Sequence, residues 1–222
     1  MTLRHVIGSK VLAAALLPVC LAAWPGIGNA QTPTYTGEAL GASVNVLGIR
    51  ATISDTGPLP GSGGSLSAQL ASANVPGVLA LSLLTASTTG GSDRTSSQAS
   101  VANVNVTAVG IGITASVLTS NATAQACGSS GPSVTGGSTI ANLVVNGQSI
   151  TVTGAPNQTV PLLIGSLIIN EQISSVTNSS SGASADIVVN ALHLKVAGLA
   201  DVVISSSHAG VSCGGSSCGI LF

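Results

Sequence analysis

Two serines near the C-terminus lie in G-x-S-x-G patterns, the arrangement that carries the nucleophile of many hydrolases. The first pattern spans residues 210–214 around Ser212, and the second spans residues 215–219 around Ser217. A hydrolase of this kind needs an aspartate and a histidine later in the chain, and only residues 220–222 (Ile-Leu-Phe) follow the second pattern. Chance matches are expected in a chain rich in glycine and serine. The sequence therefore predicts that the protein is not an enzyme.

Histidine and cysteine residues near the C-terminus also suggest a metal site. His208, Cys213 and Cys218 lie close together in the sequence, and Cys127 would complete a set of four ligands. Zinc sites built on thiolates use tighter cysteine pairs, and an exported chain oxidises its thiols. Calcium would need clustered acids, and the acids of this chain are scattered. We therefore predict neither a metal nor another cofactor.

The cysteines indicate a disulfide instead. Cys127, Cys213 and Cys218 permit three pairings, one of which would leave Cys127 free. A Cys127–Cys213 bond would close a loop of about 86 residues, which the chain-entropy estimate values at about 4–5 kcal/mol. A Cys213–Cys218 bond would constrain only the tail. We favour the long bridge, with Cys218 as the alternative partner or a free thiol.

Alternating apolar residues then predict the elements that position these groups. One long strand is predicted near the C-terminus, with His193 and Lys195 on its polar face and Asn190 on its apolar face. A buried amide needs hydrogen-bond partners, so Asn190 is expected to hold a neighbouring loop. His193 is expected at an exposed strand position. The residues expected on the apolar face are Val188, Asn190, Leu192, Leu194 and Val196.

Strand signals recur along the rest of the chain. Asn146-Gly147 between two β-rich segments predicts a hairpin with a type I′ turn. A shift in the apolar alternation predicts a β-bulge at Gly48, and another run predicts one strand over residues 109–117. Residues 66–84 are ambiguous and leave open a short helix before Pro76. The predicted fold is all-β, a single β-sandwich-like domain of mainly antiparallel strands, with a β-solenoid as the minority alternative.

The N-terminus predicts export. Residues 1–30 combine a short basic region, an apolar core and small residues before a cleavage site between Ala30 and Gln31. The apolar core of about 14 residues is shorter than the roughly 20 needed to span a bilayer, so a retained anchor is the weaker alternative. We expect a secreted protein, in the periplasm, the medium or at the cell surface. Its predicted parts are an extension at 31–40, a β-rich domain at 41–213 and a Gly/Ser/Cys tail at 214–222, without a transmembrane segment.

Charge and aromatic content exclude some partners. Without residues 1–30, the chain has three cations (Arg50, Arg94 and Lys195) and six acids, which gives a net charge of 3 − 6 = −3. Three cations are too few to neutralise a run of phosphates, which excludes nucleic acid. Only Tyr35 and Phe222 remain as aromatic residues, which argues against a conventional sugar-stacking lectin.

The second half of the chain carries a recognisable succession of short motifs. Its residues include Asn157, Asn170, Glu171, Asn190 and His193. From residue 143 onwards this succession resembles the choice-of-anchor P family, bacterial exported proteins whose shared β-rich domain is joined to different surface anchors. The resemblance implies a surface-displayed domain without an established enzymatic activity. No LPxTG or Pro-Glu-Pro sequence follows Cys213, so release is expected as readily as attachment.

These observations lead to one hypothesis of function and two rivals. The first is a secreted or cell-surface, non-enzymatic structural or adhesive β-domain that associates with itself or with other surface proteins in an extracellular layer or matrix. The alternative is a monomeric binding module for a small or glycan ligand. The third is an enzyme that uses His193 or His208.

Overall fold

The computed structural model describes residues 32–214, and these residues form strands and turns without a helix. The predicted signal peptide, its cleavage site at Ala30–Gln31, and Ser217 and Cys218 lie outside the described residues. None of the residues that are described forms a helix able to cross a membrane. The strands are β1 (Thr34–Val46), β2 (Ile49–Asp55), β3 (Gly64–Val75), β4 (Leu79–Gly91), β5 (Arg94–Ala108), β6 (Ile111–Gln125), β7 (Ser133–Ala141), β8 (Val144–Val145), β9 (Gln148–Ser149), β10 (Gln158–Leu162), β11 (Gly165–Ser179), β12 (Gly182–Val196) and β13 (Ala200–Gly214).

Two antiparallel sheets pack face to face. Sheet A has the order β10-β11-β12-β13-β1-β2, and sheet B has the order β3-β4-β5-β6-β8-β9, with β7 also paired to β6. The predicted all-β sandwich is confirmed, and the solenoid alternative is wrong. Residues 34–40, which the sequence suggested as an extension, form the first half of β1 and pair with β13.

Tight turns join neighbouring strands. Leu47-Gly48, Ser92-Asp93, Val109-Gly110 and Asn146-Gly147 each place two residues at positive φ between directly paired strand ends, which is type I′ geometry. The hairpin at Asn146-Gly147 is as predicted. The predicted bulge at Gly48 is wrong, because a two-residue turn reverses the chain there and places Val46 opposite Ile49. The single strand expected over residues 109–117 is also wrong at its start, where Val109 belongs to a turn.

The ambiguous segment from Leu66 to Leu84 is strand throughout, apart from a three-residue turn at residues 76–78. The short helix before Pro76 is therefore wrong. Leu66 and Leu70 are four residues apart, which suits one face of a helix but equally one face of a strand. Pairing along the whole of β4 decides between the two.

A line of irregular residues crosses both sheets at mid-length, and we call it the crease. Several of its residues have positive φ within a strand, among them Asn170 and Ser205. At the crease the alternation between inner and outer side chains shifts by one residue, as the burial of Val189 and Leu192 on either side of Ala191 shows. The crease residues are Gly41, Ser54, Asn170, Ala191 and Ser205 in sheet A, and Ala71, Leu83, Asn103, Ser116 and Asn142 in sheet B.

The crease separates two kinds of core. On one side the core is built from large aliphatic side chains such as Ile113, Leu194 and Ile204. On the other side it is mostly alanine with buried hydroxyls, and the sheets approach closely enough for Ser97 Oγ to donate to the His208 carbonyl at 2.6 Å. Cys127 and Cys213 close this second end at disulfide distance, with Cα atoms 5.9 Å apart. This is the pairing that loop length favoured.

Candidate functional site

The acidic, basic and histidine side chains of the described residues gather on one surface, the outer face of sheet A. Asp93 and Arg94, at the turn between β4 and β5, are the exceptions within residues 32–214. Each of the others alternates with residues that point into the core. The side chains on this face are Glu38, Arg50, Asp55, Glu171, Asp186, His193, Lys195, Asp201 and His208.

Glu171 is the centre of an ionic cluster on this face. Its side chain is only 7% exposed, and three donors reach it from β12. Asn190 Nδ2 donates to Oε2 at 2.7 Å, and Lys195 Nζ donates to Oε1 at 2.7 Å. His193 Nδ1 lies 2.5 Å from Oε2. The carboxylate therefore ties β11 to β12 through three separate contacts.

These contacts keep Glu171 ionised. Burial alone would raise the pKa of a carboxyl group, because it disfavours the charged form. Here the hydrogen bonds from Lys195, His193 and Asn190, together with the charge of His193, outweigh burial and lower the pKa of Glu171 to about 2. A carboxylate with its oxygens occupied in this way acts as a structural anchor rather than as a free base.

His193 is held between two carboxylates. Its Nε2 lies 3.0 Å from Asp201 Oδ1, while its Nδ1 faces Glu171. Only the doubly protonated imidazolium can donate to both acceptors. Among residues 32–214, no serine, threonine or cysteine side chain hydrogen-bonds to this ring. A depression of about 410 Å³ borders the cluster at Lys195 and Asp201. The arrangement is a hydrogen-bonded network of ionisable groups, and it holds strands together.

The structure corrects two predictions about this cluster. His193 was expected at an exposed position, but its side chain is only 11% exposed because Glu171 and Asp201 flank it. Asn190 was expected on the face of Leu192, where it would hold a loop. The crease shifts the alternation at Ala191, so Asn190 lies on the outer face and donates to Glu171 instead. The error for Asn190 follows from assuming one alternation along the whole strand, and the error for His193 follows from contacts made by neighbouring strands.

A second network, built of amides, adjoins the ionic cluster at Asn170. The Asn170 side chain donates to the Gly154 carbonyl at 3.0 Å, and the Asn157 backbone N–H donates to the Asn170 carbonyl at 2.8 Å. The Asn157 side chain in turn accepts from the Gln172 backbone N–H at 2.9 Å. Gln172 also reaches the Gly136 carbonyl in β7 at 3.3 Å. The amides hold the loop before β10 and connect the edges of the two sheets.

The five motif residues named from the sequence therefore form one continuous region. Asn157 and Asn170 belong to the amide network, and Glu171, Asn190 and His193 belong to the ionic cluster. Sequence reasoning missed two participants, Asp201 and Gln172. Asp201 follows the turn after β12 and lies opposite Lys195, which places it beside His193.

The remaining candidate residues lie elsewhere. His208 Nε2 contacts Asp186 Oδ2 at 2.8 Å, while Ser212 is exposed further along β13. Burial raises the pKa of Glu38, the neighbouring Asp55 carboxylate raises it further, and His208 partly opposes them. Cys127 and Cys213 are joined to each other, and within residues 32–214 no group of His, Cys, Asp and Glu side chains suits a metal ion.

The outer face of sheet B has a different character. Fifteen positions in three rows across five strands form what we call the polar grid, and none of them carries a charge. Gly137 is the one member without a side chain. The rows are Ser65-Thr89-Ser96-Thr123-Thr135, Ser67-Ser87-Gln98-Asn121-Gly137 and Gln69-Thr85-Ser100-Thr119-Thr139.

No protein-family model, curated protein or solved structure matches this chain. The resemblance to the choice-of-anchor P family therefore stays a prediction. Function has to be argued from the two outer faces.

Proposed function

We propose that this protein is an exported, non-enzymatic structural or adhesive domain of an extracellular layer or matrix, and that the polar grid is its contact surface. The observation that carries the proposal is the grid itself, an uncharged array of hydroxyl and amide side chains on one face of a sandwich. The predicted signal peptide and the resemblance to exported surface proteins support the location.

The chemistry of the grid suits contact with a similar surface. Hydroxyl and amide side chains each donate and accept hydrogen bonds. Two such faces can therefore form hydrogen bonds with each other in many relative positions. A charged face would instead repel a copy of itself. Neighbouring grid positions already pair in this way, as Ser96 Oγ and Thr123 Oγ1 do at 3.3 Å.

The size of the grid indicates weak individual contacts. With strands about 4.8 Å apart and about 6.8 Å between alternate residues, the grid measures roughly 24 by 20 Å. This area of about 500 Å² is less than the roughly 800 Å² per partner of a stable complex. Weak contacts become strong when many copies are held side by side, which is the situation in a layer or matrix.

The test is adsorption of the exported, purified protein onto an immobilised film of itself, followed with a quartz crystal microbalance. Wild-type protein is expected to add to the film. Asn121→Lys, which places a charge in the middle row of the grid, is expected to abolish the added mass. Asn45→Lys is the matched control, because Asn45 is exposed on the outer face of sheet A, between Arg50 and Asp201.

Two outcomes would contradict the proposal. If wild-type protein does not add to its own film, the domain does not associate through any face. If Asn121→Lys and Asn45→Lys reduce adsorption equally, the grid is not the contact surface. Binding of wild-type protein to a glycan array without adsorption to the film would instead favour the monomeric binding module.

A further inference from the structure

The free edge of β3 is the feature that the ionic cluster and the polar grid leave unexplained. β4 is the only strand that pairs with β3 in the part of the chain that the structure describes. No described backbone group bonds to residues 64–74 from the other side. None of the twelve residues of β3 is buried, and Leu70 is 42% exposed. A full row of backbone donors and acceptors is therefore open to another strand.

The other sheet edges are protected in ways that β3 is not. β2 has seven residues and carries Arg50 and Asp55, and β10 has five residues and contains Pro161. β9 has only two residues. The edge of β7 lies against sheet A, where Gln172 occupies the Gly136 carbonyl. Charges, proline and short length are the usual protections against edge-to-edge pairing. β3 has none of them, since residues 64–75 contain neither a charged residue nor a proline.

We propose that the edge of β3 pairs antiparallel with β3 of a second copy of this chain, so that sheet B continues across a two-fold axis. The inference rests on the proposed self-association through the polar grid and adds a second contact between copies, at the edge of β3. A second copy suits this edge because the two strands are uncharged and identical, and an antiparallel two-fold pair presents the same groups from both sides. Pairing would also cover Leu70, which the sandwich leaves exposed.

The crease limits the register of this pairing. Residues 64–70 keep one alternation, with Leu66 and Ala68 on the inner side and Leu70 opposite the buried Leu84. Beyond Ala71 the inner residues are Ala73 and Val75. A pairing centred on Ala71 would place inner side chains of one copy opposite outer side chains of the other, with Leu70 opposite Ser72. Residues 64–70 paired about Ser67 avoid this conflict along their whole length. Ser67 then faces Ser67 of the second copy on the outer surface.

A cysteine at this position provides the test. Directly opposed strand residues have Cβ atoms about 4.5–5.5 Å apart, within reach of a disulfide. Ser67→Cys in a Cys218→Ser background is expected to form a covalent dimer under mild oxidation, seen on non-reducing gels and by intact mass. Ser87→Cys is the matched control, because Ser87 lies directly beside Ser67 on the same face but on the inner strand β4.

The pattern of crosslinking separates the possible outcomes. A dimer with Ser67→Cys alone supports edge pairing. Crosslinking of both variants shows contact between grid faces, which overturns edge pairing but supports the proposed function. If neither variant crosslinks, edge pairing is wrong, and the film experiment decides the proposed function by itself.

A second variant checks the inference without a cysteine. Leu70→Lys places a protective charge at the β3 edge, and Leu163→Lys places the same charge at a fully exposed turn on the other side of the molecule. In sedimentation velocity, Leu70→Lys is expected to abolish the dimer and Leu163→Lys to retain it. Circular dichroism checks that both remain folded. A dimer that persists in folded Leu70→Lys would overturn the inference.

Discussion

The outer faces of the two sheets come from the same alternation of side chains, but they use it differently. On sheet A, the ionisable groups other than Arg50 contact one another, and Glu171 is nearly inaccessible to solvent. On sheet B, the polar grid is uncharged, and side chains such as Gln98 and Asn121 are exposed. One face uses its polar groups within the fold, and the other presents them to solvent.

This difference bears on where function lies. Groups of unusual reactivity often mark a functional site, but structural ion networks shift pKa values in the same way. Glu171 illustrates the second case, because every contact that lowers its pKa also ties strands together. The contacts of Glu171 within the fold therefore account for its lowered pKa without a functional role. The polar grid on sheet B has exposed side chains such as Gln98 and Asn121, and these are the groups that we propose for contacts.

The largest expected effect comes from breaking the ionic cluster. Glu171→Gln removes the negative charge that contacts His193 and Lys195. It also replaces one carboxylate oxygen, a hydrogen-bond acceptor, with an NH₂ group that can only donate. We expect the free energy of unfolding to fall by about 2–4 kcal/mol, measured by urea denaturation. Asp186→Asn is the control, since Asp186 is 45% exposed and its pair with His208 is expected to contribute less than about 1 kcal/mol. Equal losses in the two variants would show that the Glu171 cluster is not special.

The next effect is the dependence of this stability on pH. The pKa of Glu171 is lowered from 4.5 to about 2, so the unfolded chain binds the proton more readily than the folded protein does. The contribution of ionised Glu171 to the free energy of unfolding is therefore complete above pH 4.5, and it is lost as the pH falls towards 2. It amounts to about 3 kcal/mol at most. Urea denaturation at several pH values should show a steeper loss in wild-type protein than in Glu171→Gln. Parallel curves would contradict the assignment.

Much of the fold could be predicted from the sequence because it depends on local signals. Alternating aliphatic residues gave the strands, Asn146-Gly147 gave a hairpin, and loop length favoured the Cys127–Cys213 pair. Each of these is decided by a few neighbouring residues or by a simple loop-closure argument.

The crease could not be predicted in the same way. A single residue such as Asn170 or Ser205 at positive φ changes which face the following residues occupy, but leaves the apolar pattern on each side intact. Asn190 was therefore assigned to the wrong face. The position of Asp201 beside His193 depends on the β12–β13 register, which only the paired strands reveal.

A smaller effect of the opposite sign is expected at Glu38. Burial and the neighbouring Asp55 raise the pKa of Glu38, so ionisation of this group opposes folding. The penalty is absent at acid pH, where Glu38 is protonated in both states, and it develops as the pH rises above 4.5. Glu38→Gln should therefore stabilise the protein near neutral pH, by less than about 1 kcal/mol because the site is partly solvated. Destabilisation near neutral pH in urea denaturation would show that the ionised carboxylate is needed, for instance by His208.

The smallest effect on stability is expected at the polar grid, and it sharpens the contrast between the faces. Asn121 is exposed, it lies between Gln98 and Gly137, and its side chain makes no hydrogen bond to the described residues. Asn121→Lys should change the free energy of unfolding by less than about 0.5 kcal/mol, in the same urea experiment. If Asn121→Lys loses film adsorption but keeps its stability, Asn121 is needed for contact between copies and not for folding. A clear destabilisation would mean that the grid, like the ionic cluster, is used within the fold, and its groups would then be less free to hold a second surface.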